Sequence, residues 1–473
     1  MKKLAALVLA LVMMASFASF AMAEEGYNMP AMNTTDPITL SLLTWDDFEL
    51  TRALADKFTE KYPNITIEII QTTTADVNGT LTNLAADNNL PDMFFWLDLD
   101  VLLANKLMMD ITEYIENDEE AQTKLYPSLR NVGYVDGQRC FFMAGENLPA
   151  TIYLDKTVFD KLNRELPSQD WTWEEMLELI ETMTDPSQGI WAYNFFMGPV
   201  TLGPIALTDN VTGEFGWDGE SYNFGSGWVE MMEKQADYAR LGYQAIAGSE
   251  EYLAVVPDDM WPGESGHVAI QMDAYWTMNN IYTQTAALER GLQMVPYNAP
   301  IGEGVENGGQ FSWIDMVSIS ATCEHPREAY EALKFLTWGK EGWLARAELY
   351  PTITNEAGDK LYRLAGSLPM IEDEEVAAAM AAIMPDLGYW NDWEGFFGAI
   401  QNPVTFGGRT IPGFNTFITD FYHNSDFAGY VGIEAAINAK AVDPYDYTDT
   451  LDEAGRRYYD DAMATFFSVY GQP

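Results

Sequence analysis

The order strand, helix, strand near residue 40 restricts the fold of this chain more than any other feature. Ile38 to Leu43 is a short apolar, alternating run. Leu50, Leu54 and Phe58 then recur at helical spacing until Pro63 and Asn64 break the pattern. Ile65, Ile67 and Ile69 alternate with Thr66 and Glu68 as a second strand. A unit of this length joins two parallel strands by a right-handed crossover, which requires an α/β layer structure.

The alternation continues. Leu81 to Asn88 reads as helix, Met93 to Trp96 as a buried strand, and Leu99 to Met108 as helix. Gly137 to Met143 and Thr151 to Leu154 read as two strands. Thr172-Trp173-Glu174-Glu175 is a capping box opening a helix whose apolar face is Trp173, Met176, Leu177 and Ile180. Trp228 to Leu241 reads as a helix ending at Gly242. His267 to Met272, Leu292 to Val295 and Met316 to Ile319 read as strands, and Trp276 to Ala287 and the segment from Pro326 as helices. Residues 388–414 read as a loop rich in Gly, Trp and Phe. With 473 residues, more than one core is expected.

The first 23 residues have the pattern of an export signal. Lys2 and Lys3 precede an uncharged apolar run from Leu4 to Phe20, and Ala21-Met22-Ala23 forms a cleavage site before Glu24. The run is short for a bilayer span, which needs roughly 20 apolar residues. Cys140 and Cys323 are the two cysteines, too few for a disulfide-built scaffold. Acidic side chains outnumber basic ones 72 to 25, a net charge of −47. Such a surface repels phosphate backbones and excludes nucleic acid as a partner.

Catalytic signatures are missing. His267, His325 and His423 form no H-x-x-x-H pair, and no C-x-x-C, G-x-S-x-G or phosphate-binding loop occurs. A binding role without cofactor or metal is therefore expected. Two carboxylates and an aromatic cleft suffice for a glycoside hydrolase, so that enzyme class stays as an alternative. A secreted polysaccharide-binding surface protein is another.

Five stretches together resemble the extracellular solute-binding proteins of ABC sugar importers, the group that includes the maltose-binding protein. They are Ile38 to Ile70 with "EKYPNITIEI"; "LPDMFFWLDLDVLLANKLMMDITEYI"; "VDGQRCFFMAGENLPATIYLDKTVFDKL" leading to "WTWEEMLELI"; "GESGHVAIQMDAYWTMNNI"; and "FSWIDMVSISATCEHPREAYEALKFLTW". The resemblance implies a two-lobe periplasmic-binding-protein-like α/β fold, mainly parallel in each lobe's sheet, with a ligand cleft between lobes. Lobe one would be 36–148 plus 306–350, and lobe two 149–305 plus 351–473. It implies a monomer that captures a carbohydrate outside the cytoplasm, most simply a neutral oligosaccharide, and docks on the permease subunits of a membrane transporter. The lipid-anchoring Cys common at the cleavage site of such proteins is absent from Ala23-Glu24.

Open α/β sheets bind ligands at the carboxyl ends of their strands. Trp45 and Asp46 follow the first strand, Trp96 and Asp98 the third, and Asp273 and Trp276 the strand from His267. Ring faces pack against sugar C–H groups, and carboxylates accept hydroxyl hydrogen bonds. By resemblance, Trp96 and Trp276 match ring-stacking positions, and Asp46 and Asn147 match polar contacts. Each has a plainer reading: core for Trp96 and Trp276, helix cap for Asp46 and Asp98, turn for Asn147. Trp313, Tyr350, Trp390 and Trp393 are further candidates, with one of the last pair expected in the cleft. Arg139 or Arg409 could also reach it.

Overall fold

The computed structural model describes residues 27–225, 227–278, 291–305, 310–352, 366–384 and 386–472. The export-signal segment, most of the 276–287 helix and the proposed lobe boundary at 306 lie outside them.

The opening unit forms as its pattern requires. Strand β1 (Ile38–Thr44) pairs in parallel with β2 (Ile65–Gln71), and helix α1 (Phe48–Lys61) crosses between them. The α1 stripe Leu50, Leu54 and Phe58 is buried against the sheet. Strand β3 (Met93–Trp96) joins β1 in parallel, and the short helix α2 (Leu99–Ala104) follows.

Strand β4 (Met143–Asp155) is one continuous 13-residue strand where the sequence suggested two, and Gly137 to Cys140 lie outside it. Its length comes from a change of partner. Met143 to Pro149 pair with β8 (Phe311–Ile319), whereas Ala150 to Asp155 pair with β6 (Val268–Ala274) and β7 (Met294–Asn298). Pro149, which has no N–H for a ladder, stands where one set of partners gives way to the other. Helix α3 (Trp173–Thr182) opens on the expected Thr172/Glu175 capping box, and β5 (Trp191–Phe195) pairs in parallel with β6.

The described strands of the main sheet run in the order β2-β1-β3-β8-β4-β6-β5. The two-lobe α/β architecture is as expected, but the sheet is mixed rather than mainly parallel. Its antiparallel pairs are β3–β8, β4–β8, β4–β6 and β4–β7. All involve β4 or β8, the long strands that pass between lobes and so run against the crossover units.

Two large cores flank this crossing. One gathers Leu42, Phe58, Phe94, Trp96 and Leu333. The other gathers Ile152, Trp173, Ile180, Trp228 and Ile270. Helices α4 (Pro326–Leu336) and α5 (Lys340–Leu349) cover the first. Residues 351–473 divide between the two: Met370, Val376 and Phe466 pack in the first core, while Ile411, Phe417 and Leu451 pack in the second. The 388–414 segment is more regular than a loop. Asp392 caps helix α6 (Trp393–Ile400) by accepting from Gly395 N at 3.1 Å, and β9 (Thr405–Phe406) pairs with β8. The long helix α7 (Thr448–Tyr470) starts on the second core and ends on the first. Cys140 and Cys323 are both free thiols.

Candidate functional site

A cavity of about 690 Å³ opens between the lobes. Lobe one lines it with Trp45, Asp46, Glu146, Asp315, Arg346 and Tyr350; Phe196, Trp276 and Arg409 face them from lobe two, and Trp313, expected in lobe one by its place after 306, packs against the second core beside them.

Asp46 is available because its neighbour does the capping. Asp47 accepts from Glu49 N at 2.9 Å and Leu50 N at 3.2 Å, closing the first turn of α1. Asp46 is left at the end of β1, facing the cavity. Glu146 and Asp315 are opposite each other in the β4–β8 ladder, just past an irregularity between Ala144 and Glu146. Gly145 is required there, since a Cβ would lie 2.6 Å from the Phe95 ring. The Trp45 indole N–H donates to Asp315 Oδ2 at 3.2 Å, and its ring meets Phe95 edge-on at 5.4 Å.

Arg346 on α5 is 5% exposed and donates through Nη2 to Leu336 O. Its Nε–H has no hydrogen-bond partner among the described residues. Burial pushes the carboxyl of Asp46 up against the opposing pull of Arg346. Burial, then the charges of Asp46 and Asp315, pushes Glu146 well above the usual carboxylate range. Burial and the Asp46 charge raise Asp315 to about 6. Tyr350 is raised by burial and held back by Arg346.

The opposite wall is aromatic. Phe196, two-thirds exposed at 67%, meets Trp276 edge-on at 5.2 Å. Trp313 donates its indole N–H to the Met197 sulfur and lies 5.6 Å from the Arg409 guanidinium. Gly407 lies so close that a Cβ would be 2.3 Å from the Trp313 ring, so only glycine allows the chain to lie against it.

A family model for bacterial extracellular solute-binding proteins matches residues 53–358, well over half the chain. The protein belongs to that family. No curated protein sequence matches it. Among solved structures, the sugar-binding protein MalE from Xanthomonas citri superposes with a TM-score of 0.64 at 13% identity, covering 91% of this chain and 99% of its own. An ABC substrate-binding protein from Listeria monocytogenes in complex with cycloalternan gives 0.63 at 17% identity, with 91% and 99% covered. The cyclic alpha-maltosyl-1,6-maltose binding protein from Arthrobacter globiformis gives 0.60 at 14%, with 90% and 100% covered. At these identities the likeness establishes the fold.

In this solute-binding protein, Trp45, Asp46, Trp276, Trp313 and Tyr350 share the one cavity. Trp96 does not: it is wholly buried, its indole N–H donating to Ser318 Oγ at 2.8 Å and its ring edge-on to Phe142 at 5.0 Å. Asp98 caps α2, accepting from Val101 N at 3.3 Å. Asn147 is buried and committed to backbone and side-chain bonds at the crossing: Ser312 Oγ donates to its Oδ1 at 2.8 Å and its Nδ2 donates to Gln401 O at 3.1 Å. Asp273, 2% exposed, accepts from Ala274 N at 2.8 Å. Trp390 and Trp393 meet edge-on at 4.8 Å and pack in a small apolar cluster with Tyr153, Tyr275 and Phe396, so neither lines the cavity. Arg409 reaches the cavity as foreseen, while Arg139 is held by Asp136 and the carbonyls of Tyr470 and Gly471. Glu146, Asp315, Arg346 and Phe196 were not singled out in the sequence. The only signal was in Glu146 and Asp315, single acids inside otherwise apolar strands. Among the described residues no helix is long and apolar enough to cross a membrane, and no cluster of His, Cys, Asp and Glu could hold a metal ion.

Proposed function

We propose that this solute-binding protein captures a carbohydrate in the interlobe cavity and delivers it to the permease subunits of an ABC importer. The observation carrying this reading is that five rings (Trp45, Phe196, Trp276, Trp313 and Tyr350), the acids Asp46, Glu146 and Asp315, and the guanidinium groups of Arg346 and Arg409 line a single cavity. Sugars present apolar C–H faces and hydroxyl edges together, and this arrangement serves both. The volume suits a small-molecule site, for which about 300–1,000 Å³ is usual. The fold relatives whose descriptions name cycloalternan and maltosyl-maltose support an oligosaccharide. A ligand touching both lobes favours their closed arrangement by its differential affinity, and the closed form docks on the transporter.

The protein acts as an exported monomer without catalysis. The segment from Met1 to Ala23 is its cleavable signal, and Glu24 is the first mature residue. Glu146 and Asp315 are neighbours on adjacent strands of one wall, whereas a hydrolase pair stands roughly 5–10 Å apart on either side of a glycosidic bond. A thermal-shift screen against neutral mono- and oligosaccharides tests the reading. A sugar at 100 times its Kd should stabilise the fold by about 2.7 kcal/mol without yielding products. Reducing-end release would move the protein to the hydrolases; no shift with any sugar would remove the carbohydrate.

A further inference from the structure

The floor of the cavity brings together more acid than it can ionise. Glu146 on β4 is directly opposite Asp315 on β8, and both line the cavity with Asp46, which follows β1. The groups facing it are few. Asp47 stands beside Asp46, and α5 and its end supply Arg346 and Tyr350. Arg409 acts on Asp315 from the lobe-two side, and the Trp45 indole donates to Asp315. Arg346 and Arg409 cannot neutralise Asp46, Asp47, Glu146 and Asp315 together, and carboxylates gathered in one cavity do not all ionise.

We propose that Glu146 carries a proton shared between Asp46 and Asp315, and that this acid set binds an uncharged, hydroxyl-bearing ligand as a combined donor and acceptor. Glu146 is the member that keeps the proton: Asp315 accepts from the Trp45 indole and has Arg409 to favour its ionised form, whereas Glu146 meets the charges of both Asp46 and Asp315 with Arg346 alone opposing them. A protonated carboxyl is a donor, and an ionised one accepts only. The guanidinium of Arg346, which lines the same cavity, adds positive polarity to this floor. Adjacent hydroxyls on a sugar ring each give and accept, so they complement this floor. A carboxylate-bearing sugar would meet Asp46, Asp47 and Asp315 and be repelled. A ligand that seals the cavity removes more water from Glu146, which tightens its hold on the proton. Above the pH where the empty site loses that proton, capture must take one up.

The ligand class rests on the carbohydrate reading; the proton does not, so two measurements separate them. The first uses the ligand-free protein: the thermal midpoint of wild type and Glu146→Gln is followed from pH 5 to 9. The wild type should lose stability relative to the variant as pH rises, because the folded protein holds the Glu146 proton more tightly than the unfolded chain. Asp315→Asn should move this difference to lower pH, an effect that a purely structural role would not produce. Parallel curves for wild type and Glu146→Gln, or an unmoved difference in Asp315→Asn, overturn the shared proton. The second measurement is calorimetric titration with maltotriose and mannotriose, and with a trisaccharide ending in glucuronic acid. Affinity of the wild type for a neutral probe should fall by up to tenfold per pH unit across the same range, and be flat in Glu146→Gln. A flat wild type, or tighter binding of the acidic probe, overturns the binding role. Failure of all three probes to bind counts against the carbohydrate reading, with the first measurement still deciding the proton.

Discussion

The two faces of the cleft are built from different chemistry. Lobe one offers the half-buried acids Asp46, Glu146 and Asp315 and the buried Arg346, fixed by a strand end, a ladder irregularity and a helix, beside the rings of Trp45 and Tyr350. Lobe two offers Phe196 and Trp276, rings standing just past the ends of β5 and β6, and Trp313 alongside. The lobes also use tryptophan differently. Trp96 closes β3 inside the lobe-one core, while Trp276 stands two residues beyond β6 and faces the cavity. Two residues decide the matter: a ring on the last residue of a buried strand points into the layer, and a ring past the strand end escapes it.

The strongest way to break this contrast is to truncate both rings. Trp96→Ala should cost ~3–5 kcal/mol of stability, as for other buried tryptophans, read from a urea midpoint. The fraction still folded should bind sugar normally. Full stability with lost binding would return Trp96 to the ligand. Trp276→Ala should do the reverse, weakening sugar binding at least about tenfold, or ~1.4 kcal/mol, with the thermal midpoint nearly unchanged. A matching loss of stability would place that ring in the core as well.

A smaller effect tests the charged face. Asp46→Asn keeps an acceptor but gives up charge assistance, so calorimetry should find affinity reduced about threefold to tenfold. Stability should hold or rise slightly, since a carboxylate no longer has to be kept out of water. If affinity is untouched while Trp276→Ala abolishes it, the rings alone hold the ligand and lobe one merely closes over them.

The difference between the faces also explains what the sequence revealed. The crossover alternation, the Thr172 cap and the rings past strand ends are local patterns, read within a few residues. The rings and acids past strand ends include Trp45, Asp46 and Trp276, which line one opening together with Trp313 and Tyr350. Glu146 and Asp315 are 169 positions apart and meet only because β4 and β8 pair antiparallel, a pairing no local period announces. Arg346 looks like an ordinary exposed helix cation until α5 packs it against the lobe-one core. The misplaced residues fail for a complementary reason. Asn147 and Asp98 carry the right polar groups, but backbone N–H and C=O groups claim them first. Trp393 sits in a segment whose glycines read as loop, yet Asp392 starts a helix there that turns the ring inward.

The smallest predicted effect compares two buried acids on opposite lobes. Glu214, on the lobe-two side, is 6% exposed and accepts from Gly408 N at 2.6 Å, and it does not line the cavity. Burial raises its carboxyl from 4.5 to about 7, opposed by that hydrogen bond and by Arg409. The folded protein therefore binds this proton more tightly than the unfolded chain does. The stability it contributes is complete below about pH 4.5 and is lost as pH rises towards 7. In Glu214→Gln the amide oxygen would still accept from Gly408, and there would be no proton to lose. Between pH 5 and 8 the thermal midpoint of this variant should fall less than that of the wild type, by about 1–3 °C. Sugar affinity should keep its wild-type pH profile, because the acid lies behind Arg409 and not in the floor. If Glu214→Gln flattened the binding profile as Glu146→Gln is expected to, proton and ligand would be coupled through both lobes, and the division between a charged face and an aromatic face would fail.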